Sequence, residues 1–225
     1  MDTYGVEENA DAVGQVPGNS PPTSGVLVAP GLHLPDTGLV WALDTIAGKP
    51  ALVRVKYIPT ELNNHKASNF FKAQAAPFIY KPKATIELKG ASSELKIHNA
   101  TPTLYVRSPR ASADSEARNE EIHCNFALIR LEVKSDHRLA GTIAFTQITG
   151  TAARAQNMVE AATERVAGSD WFSIKPTQPL AAGEYGLMNV PTAQNQYALS
   201  VYDFSIDPSA PPGSGYLSAD SEMAR

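Results

Sequence analysis

The sequence predicts an all-β protein, and three observations carry that expectation. Short runs with apolar residues at every second position recur along the chain, separated by turn residues at intervals of about 8 to 12 residues, the spacing of sandwiches and barrels. The stretch from Trp171 to Asp207 holds strand, turn, strand, polar loop and strand in succession, the order in which a sandwich closes. Within it, Leu180, Gly183 and Tyr185 have the L-x-x-G-x-Y spacing in which a tyrosine packs inward and its hydroxyl bonds backbone a few residues upstream. Such a corner fixes a crossover between sheets and performs no chemistry. Together these features predict an antiparallel β-sandwich of immunoglobulin-like type, with a tyrosine corner at Tyr185 and extended termini.

Residues 1–25 are rich in Gly, Pro, Asn, Ser and acidic side chains, and bury too little apolar surface to offset the entropy of ordering. They read as an extended, low-complexity arm. Val26, Leu27 and Val28 follow as a short apolar strand, a candidate docking strand for the chain's own sheet or for the open edge of another copy. GLVWAL and ALVRVKYI then form a hairpin around a turn at Asp44 to Pro50, with Val53, Val55 and Tyr57 alternating with Arg54 and Lys56. Thr60 to Phe78 mixes helix formers with Asn and aromatics and reads as loop with one helical turn. Thr85 to Leu88, Glu94 to His98 and Thr103 to Arg107 are three short strands divided by Gly-, Ser-, Asn- or Pro-containing turns. Ser108 to Glu121 is a charged connection of the length found in mobile or functional loops.

Asn125 to Lys134 is the clearest single strand. Phe126, Leu128, Arg130 and Glu132 share one face, and Ala127, Ile129, Leu131 and Val133 share the other, which is expected in the core. Thr142 to Ile148 is expected as its hairpin partner after a turn at Ser135 to Gly141. Residues 155–167 are open between two readings: Met158, Ala162 and Val166 have helical spacing with Gly168 as a stop, whereas the context favours a strand feeding Trp171. The last strand sets Tyr197, Leu199, Val201, Asp203 and Ser205 against Ala198, Ser200, Tyr202, Phe204 and Ile206. Residues 208–225 return to Pro, Gly and Ser and read as a tail, so 26–207 is taken as a single sandwich domain.

The net charge of -4 lacks the clustered Lys and Arg that nucleic acid requires. A single cysteine, Cys124, excludes an intrachain disulfide, and 225 residues suffice to bury a core without one. No apolar run reaches the roughly 18 residues of a membrane span. The opening MDTYGVEENADAVGQ has neither a basic nor an apolar region of a signal peptide, so none is read in the sequence as given.

Candidate chemistry is sparse. His33, His65, His98, His123 and His137 are scattered, without metal-ligand spacing. No G-x-S-x-G elbow occurs, and Cys124 precedes a core strand, where a buried thiol is inert. Glu184, Asp203 and Asp207 are the candidates for a carboxylate pair, with Glu184 expected to make a surface or turn hydrogen bond instead. No Gly-rich loop is built to cradle phosphate. No catalytic, cofactor-binding or metal residue is therefore assigned, and no cofactor is expected. Trp41, Phe70, Phe71, Phe78, Tyr80 and Tyr105 lie near loops or strand ends, where they suit either the core or a sugar-binding platform.

Three motifs carry a resemblance: T-P-T-hydrophobic-Tyr at Thr101 to Tyr105, F-x-L-x-R-L-x-V-K with a basic turn at Phe126 to Arg138, and P-L-x-x-G-E-Y with a later Y-D-F-x-I-D at Pro179 to Tyr185 and Tyr202 to Asp207. Over residues 84–207 the chain resembles a family of uncharacterised, mostly exported bacterial proteins. The resemblance implies a β-sandwich, a cell-envelope or extracellular setting, and a strand at Met158 to Val166; it brings no catalytic residues. The expected function is that of a non-catalytic structural or accessory subunit, working through protein contacts of edge strands and tails, by self-assembly or in a larger complex. The alternative is a soluble ligand-binding module, for carbohydrate in particular.

Overall fold

A computed structural model of the chain describes residues 25–63, 83–107, 124–145, 152–155, 157–189, 200–213 and 215–219. The described residues form strands and no helical element. In the first half these are β1 (Leu27–Ala29), β2 (Leu32–His33), β3 (Val40–Ile46), β4 (Lys49–Arg54), β5 (Tyr57–Pro59), β6 (Glu61–Asn63), β7 (Lys83–Lys89), β8 (Lys96–Ile97) and β9 (Thr103–Arg107). The second half adds β10 (Phe126–Arg130), β11 (Glu132–Val133), β12 (His137–Phe145), β13 (Ala152–Ala155), β14 (Ala161–Arg165), β15 (Trp171–Pro176), β16 (Gly183–Asn189), β17 (Ser200–Ile206) and β18 (Tyr216–Ser218).

Period-two alternation sorts these strands into layers. A six-stranded sheet runs β14-β15-β9-β3-β4-β18. A central sheet runs β10-β16-β17-β5, with β8 joining the same edge of β17 further along, in parallel. A third sheet runs β11-β12-β7-β6, with β13 on β12, and β1 and β2 form a separate hairpin. Val40, Ala42, Leu104, Val106 and Ile174 of the six-stranded sheet pack against Leu128, Tyr185, Leu187, Phe204 and Ile206 of the central one, which is the core of a β-sandwich. The alternate residues Ile129, Met188 and Val201 point to the opposite face and pack against Ile86, Leu88 and Ala140 of the third sheet. On the far side of the six-stranded sheet, Trp41, Leu52, Tyr105 and Trp171 are covered by Leu32 and Leu34 from the β1–β2 region. The central sheet is thus covered on both faces. Each fully buried Leu, Ile or Phe in these layers contributes about 1.5–3 kcal/mol relative to exposure.

The β3–β4 hairpin turns on two residues and not on the whole stretch Asp44 to Pro50, whose ends pair within the ladder, and the run ALVRVKYI divides between β4 of the six-stranded sheet and β5 of the central one. Ala47 and Gly48 have φ of 49° and 78°, both left-handed, the backbone of a type I′ turn whose twist matches the strands it joins.

Several expectations from the sequence change. The run Asn125 to Lys134 is not one strand but two, in different sheets. β10 pairs with β16 in the central sheet, the Leu131 amide still donates to the Glu184 carbonyl at 2.9 Å, and from Glu132 the chain pairs with β12 of the third sheet. The hairpin partner begins at His137 rather than Thr142, because the turn closes at once with the Lys134 amide donating to the His137 carbonyl. Both faces of β10 carry buried residues because both sides of its sheet are covered. Residues 161–165 are strand, with the β15 ladder overriding their helical spacing. Part of the stretch 208–225, read from composition as a tail, is β18, which pairs with β4 through Tyr216↔Val53 and Leu217↔Leu52. Thr60 to Phe78 opens with β6 instead of loop, and its remainder lies outside the described residues, as do residues 1–24 and the Ser108 to Glu121 connection.

Candidate functional site

Where the six-stranded and central sheets part, a cleft of about 1060 Å³ opens, bounded by β4, β5, the β7–β8 connection and the segment after β17. Its charged lining comprises Arg54, Lys56, Lys89, Lys96 and Arg138 against Glu94, Asp203 and Asp207. Lys89 is paired with Glu61 at 2.7 Å on the surface. Hydrogen bonds from the Ser209 hydroxyl and amide hold the Asp207 carboxyl below the usual carboxylate range.

Under the cleft lies a buried ionic network. Arg138 Nη1 stands 2.5 Å from Asp203 Oδ2 and 3.2 Å from Glu184 Oε2, while its Nε donates to the Gly90 carbonyl at 3.0 Å. Glu184 also accepts from the Ser92 hydroxyl, the Ser93 amide and the Ser205 hydroxyl at 2.9, 2.7 and 2.6 Å. Lys96 Nζ donates to Ser205 Oγ at 2.9 Å and lies 3.8 Å from Glu184. Strand alternation explains this cluster: Glu184 and Gly186 of β16, and Val201, Asp203 and Ser205 of β17, face the third sheet, and Arg138 of β12 faces back. Two cations balance two carboxylates: both Glu184 oxygens have donors, and Asp203 is held through Oδ2 by Arg138. A buried charge pair of this kind is sustained by such added hydrogen bonds.

A second polar cluster sits beside the first. Asp44 ends the inward-facing series Val40, Ala42, Asp44 and is buried, so it must be paired. Its Oδ1 accepts from the amides of Thr45 and Asn99, both at 2.8 Å; its Oδ2 accepts from the Tyr216 hydroxyl at 3.1 Å and lies 2.8 Å from His98 Nδ1. The His98 amide donates to both oxygens at 3.0 Å. The Tyr216 hydroxyl also reaches the Lys96 carbonyl at 2.6 Å. Burial, and then the Asp44 carboxylate, push the Tyr216 phenol well above its ordinary pKa, so it stays a donor.

The residues singled out in the sequence fall as follows. Tyr185 is buried, and its hydroxyl donates to the Ala181 carbonyl at 2.9 Å, while the Leu180 amide donates to the Ala100 carbonyl. Gly183 opens β16 beneath Arg130, whose guanidinium lies 5.9 Å from the Tyr185 ring centroid. Val26, Leu27 and Val28 lie against the chain's own β2: the Leu34 amide bonds the Val26 carbonyl at 2.8 Å, Val26 and Val28 pack on the covered face, and Leu27 points outward, 61% exposed. Glu184 is buried and not a surface residue, since its strand faces the third sheet. Trp41 and Tyr105 are buried in the layer under β1 and β2 and offer no sugar platform; Phe70, Phe71, Phe78 and Tyr80 lie outside the described residues. His137 bonds Asp136 at 2.7 Å on the surface, and His65 and His123 lie outside the described residues. Among the described residues no group of three or more His, Cys, Asp or Glu is placed to hold a metal ion. Cys124 is partly buried, and burial pushes its thiol up. Sequence reasoning missed Asp44, His98 and Arg138 as a set. The available signal was a charged residue on the apolar face of an alternating strand, at Asp44 and again at Asp203.

A second surface feature is the outer edge of β14. The Thr177 amide donates to the Glu160 carbonyl and the Val166 amide to the Trp171 carbonyl, so even-numbered residues face β15. Ala161 and Thr163 therefore turn their N–H and C=O groups away from it, and among the described residues no strand pairs there.

Fold and site together define a layered all-β protein of the sandwich class, with a cleft lined by charged and apolar side chains and a sheet edge on which no strand pairs among the described residues. No family model matches the chain, and neither a curated protein nor a solved structure does. No helix among the described residues is long and apolar enough to cross a membrane.

Proposed function

We propose that the protein is a non-catalytic structural or accessory subunit of a bacterial envelope or extracellular assembly, binding partner proteins by strand addition. The observation that carries this reading is the β14 edge of the six-stranded sheet, where the backbone groups of Ala161 and Thr163 face away from β15 and pair with no strand among the described residues. The engagement of Glu184, Asp203 and Asp44 by structural donors supports a role without catalysis. The setting rests on the family resemblance of residues 84–207.

The test is light scattering after size exclusion. The intact chain is expected to give a mass above its 24.0 kDa monomer, and Thr163→Pro is expected to lower it, because proline at an outward-facing N–H leaves the β15 ladder intact and blocks a new strand. A chain starting at Gly25 separates the contribution of the arm. A monomer in all three cases overturns the self-assembling form of the reading. The cleft then favours the second reading, a ligand-binding module: Arg54 and Lys56 have no ion-pair partner among the described residues and, with the Ser92 and Ser209 hydroxyls, suit an acidic or polyhydroxylated ligand, to be tested by a glycan screen.

A further inference from the structure

His98 stands between two acceptors on opposite sides of its ring. Nδ1 lies 2.8 Å from Asp44 Oδ2, and Nε2 lies 3.0 Å from the carbonyl oxygen of Ala210. A neutral imidazole carries one N–H and turns a lone pair toward whichever acceptor it does not serve; only the imidazolium serves both. The other groups facing the ring are Tyr216 of β18, with ring centroids 6.2 Å apart, and Asp207 after β17. Lys96 of β8 offers its carbonyl to the Tyr216 hydroxyl and directs its ammonium to the Glu184 network.

Ala210 belongs to a wall of the cleft made of Asp207, Ser209, Ala210, Pro211, Pro212 and Gly213. This wall is fastened at two points besides His98. The Asp207 amide donates to the Ile97 carbonyl at 2.9 Å, continuing the β8 ladder, and Tyr216 holds the far side through Asp44 and Lys96. Between them, Pro211 and Pro212 fix their own backbone angles and donate no hydrogen bond, so this short stretch is stiff. Among the described contacts, the Ala210 carbonyl on His98 is what ties its middle to the body of the protein.

We propose that His98 is a proton-dependent latch: charged, it holds the Ala210–Gly213 stretch down as a wall of the cleft, and on losing its proton it keeps Asp44 and releases that stretch. The choice of which bond survives follows from charge. A lone pair turned on a carboxylate at 2.8 Å is costlier than one turned on a neutral carbonyl at 3.0 Å, so the remaining N–H stays with Asp44. The proton passes to solvent, and no covalent bond changes. Burial disfavours the charged ring, but the hydrogen bond and charge of Asp44, the Ala210 carbonyl and Asp207 outweigh it and hold its pKa above the ordinary imidazole value. Access to the cleft accordingly widens as the solution becomes more alkaline.

Nitrogen-15 NMR of the intact protein between about pH 5 and 9 tests this. Both His98 ring nitrogens are expected to carry the imidazolium signature at the acid end and to titrate with a midpoint above the ordinary value. The Ala210 amide donates to the Asp207 carbonyl at 3.2 Å while the stretch is held, and its exchange, corrected for its intrinsic pH dependence, is expected to rise about tenfold or more through the same midpoint, the scale of one charge-assisted hydrogen bond. A midpoint at or below the ordinary value, or Ala210 exchange that stays flat while His98 titrates, overturns the latch. In His98→Gln the corrected Ala210 exchange is expected to be independent of pH, and a retained step there also overturns it. The unsubstituted protein decides the matter alone if that variant does not fold.

Discussion

Arg138 of the third sheet holds Asp203 of the central sheet across the layer boundary, with Nη1 2.5 Å from Oδ2 and both side chains almost wholly shielded from water. Removing the cation leaves Asp203 and Glu184 buried without it. Arg138→Met is expected to destabilise the protein by about 3–5 kcal/mol, whereas Arg138→Met with Asp203→Leu recovers part of that loss, because an apolar pair replaces a buried ionic one at little net cost. Urea midpoints of the two single variants and the double variant measure the coupling.

Gly186, opposite Asp203 in the β16–β17 ladder, lies so close to the diagonal neighbour Val201 that an added β-carbon would lie 2.4 Å from Val201 Cγ1. Gly186→Ala is therefore expected to cost about 1–3 kcal/mol by overpacking. Adding Val201→Ala removes the clashing methyl, and the pair should be less destabilised than the sum of its members. Thermal unfolding of the three variants checks this.

At the β3–β4 turn, Ala47 pays for a left-handed backbone that Asn adopts more readily. Ala47→Asn creates the Asn-Gly pair favoured in type I′ turns and is expected to stabilise by about 0.5–1 kcal/mol. Gly48→Ala should destabilise by a similar amount or more. Both shifts are readable in the unfolding midpoint.

The folded pKa of His98 lies above its ordinary value of 6.5. The charged form is thus favoured by folding, and its contribution to stability is complete below that value and is lost as pH rises through the higher folded one. The urea-midpoint difference between the unsubstituted protein and His98→Gln is expected to be largest in the acidic part of that range and to shrink on the alkaline side. A difference that grows with pH contradicts the assignment.

Alternation made β3, β9, β15, β16 and β17 legible, because each residue's parity sets the layer it enters. The stacking of a third sheet was not legible, since Leu128 and Ile129 are equally apolar and parity alone cannot say that a sheet has no wet face. For the same reason nothing marked Leu131 as the point where one run divides between two sheets. β14 was ambiguous because Met158, Ala162 and Val166 satisfy a helical period by chance, and a ladder with β15 depends on residues far along the chain. At the site, Asp203 stood on the apolar face of its strand as a charge needing a partner, whereas Asp44 was read into a turn and lies in β3, and His98 and Arg138 are brought to these carboxylates by pairings between distant strands.

The passage of the chain through Leu131, from β10 into β11, joins the central and third sheets by backbone as well as by packing. A force that pulls these layers apart is resisted there by peptide bonds and not by side-chain contact alone. The third sheet therefore cannot peel away at that corner without drawing on β10 and its ladder to β16, which ties the mechanical fate of the outer layer to the innermost part of the protein.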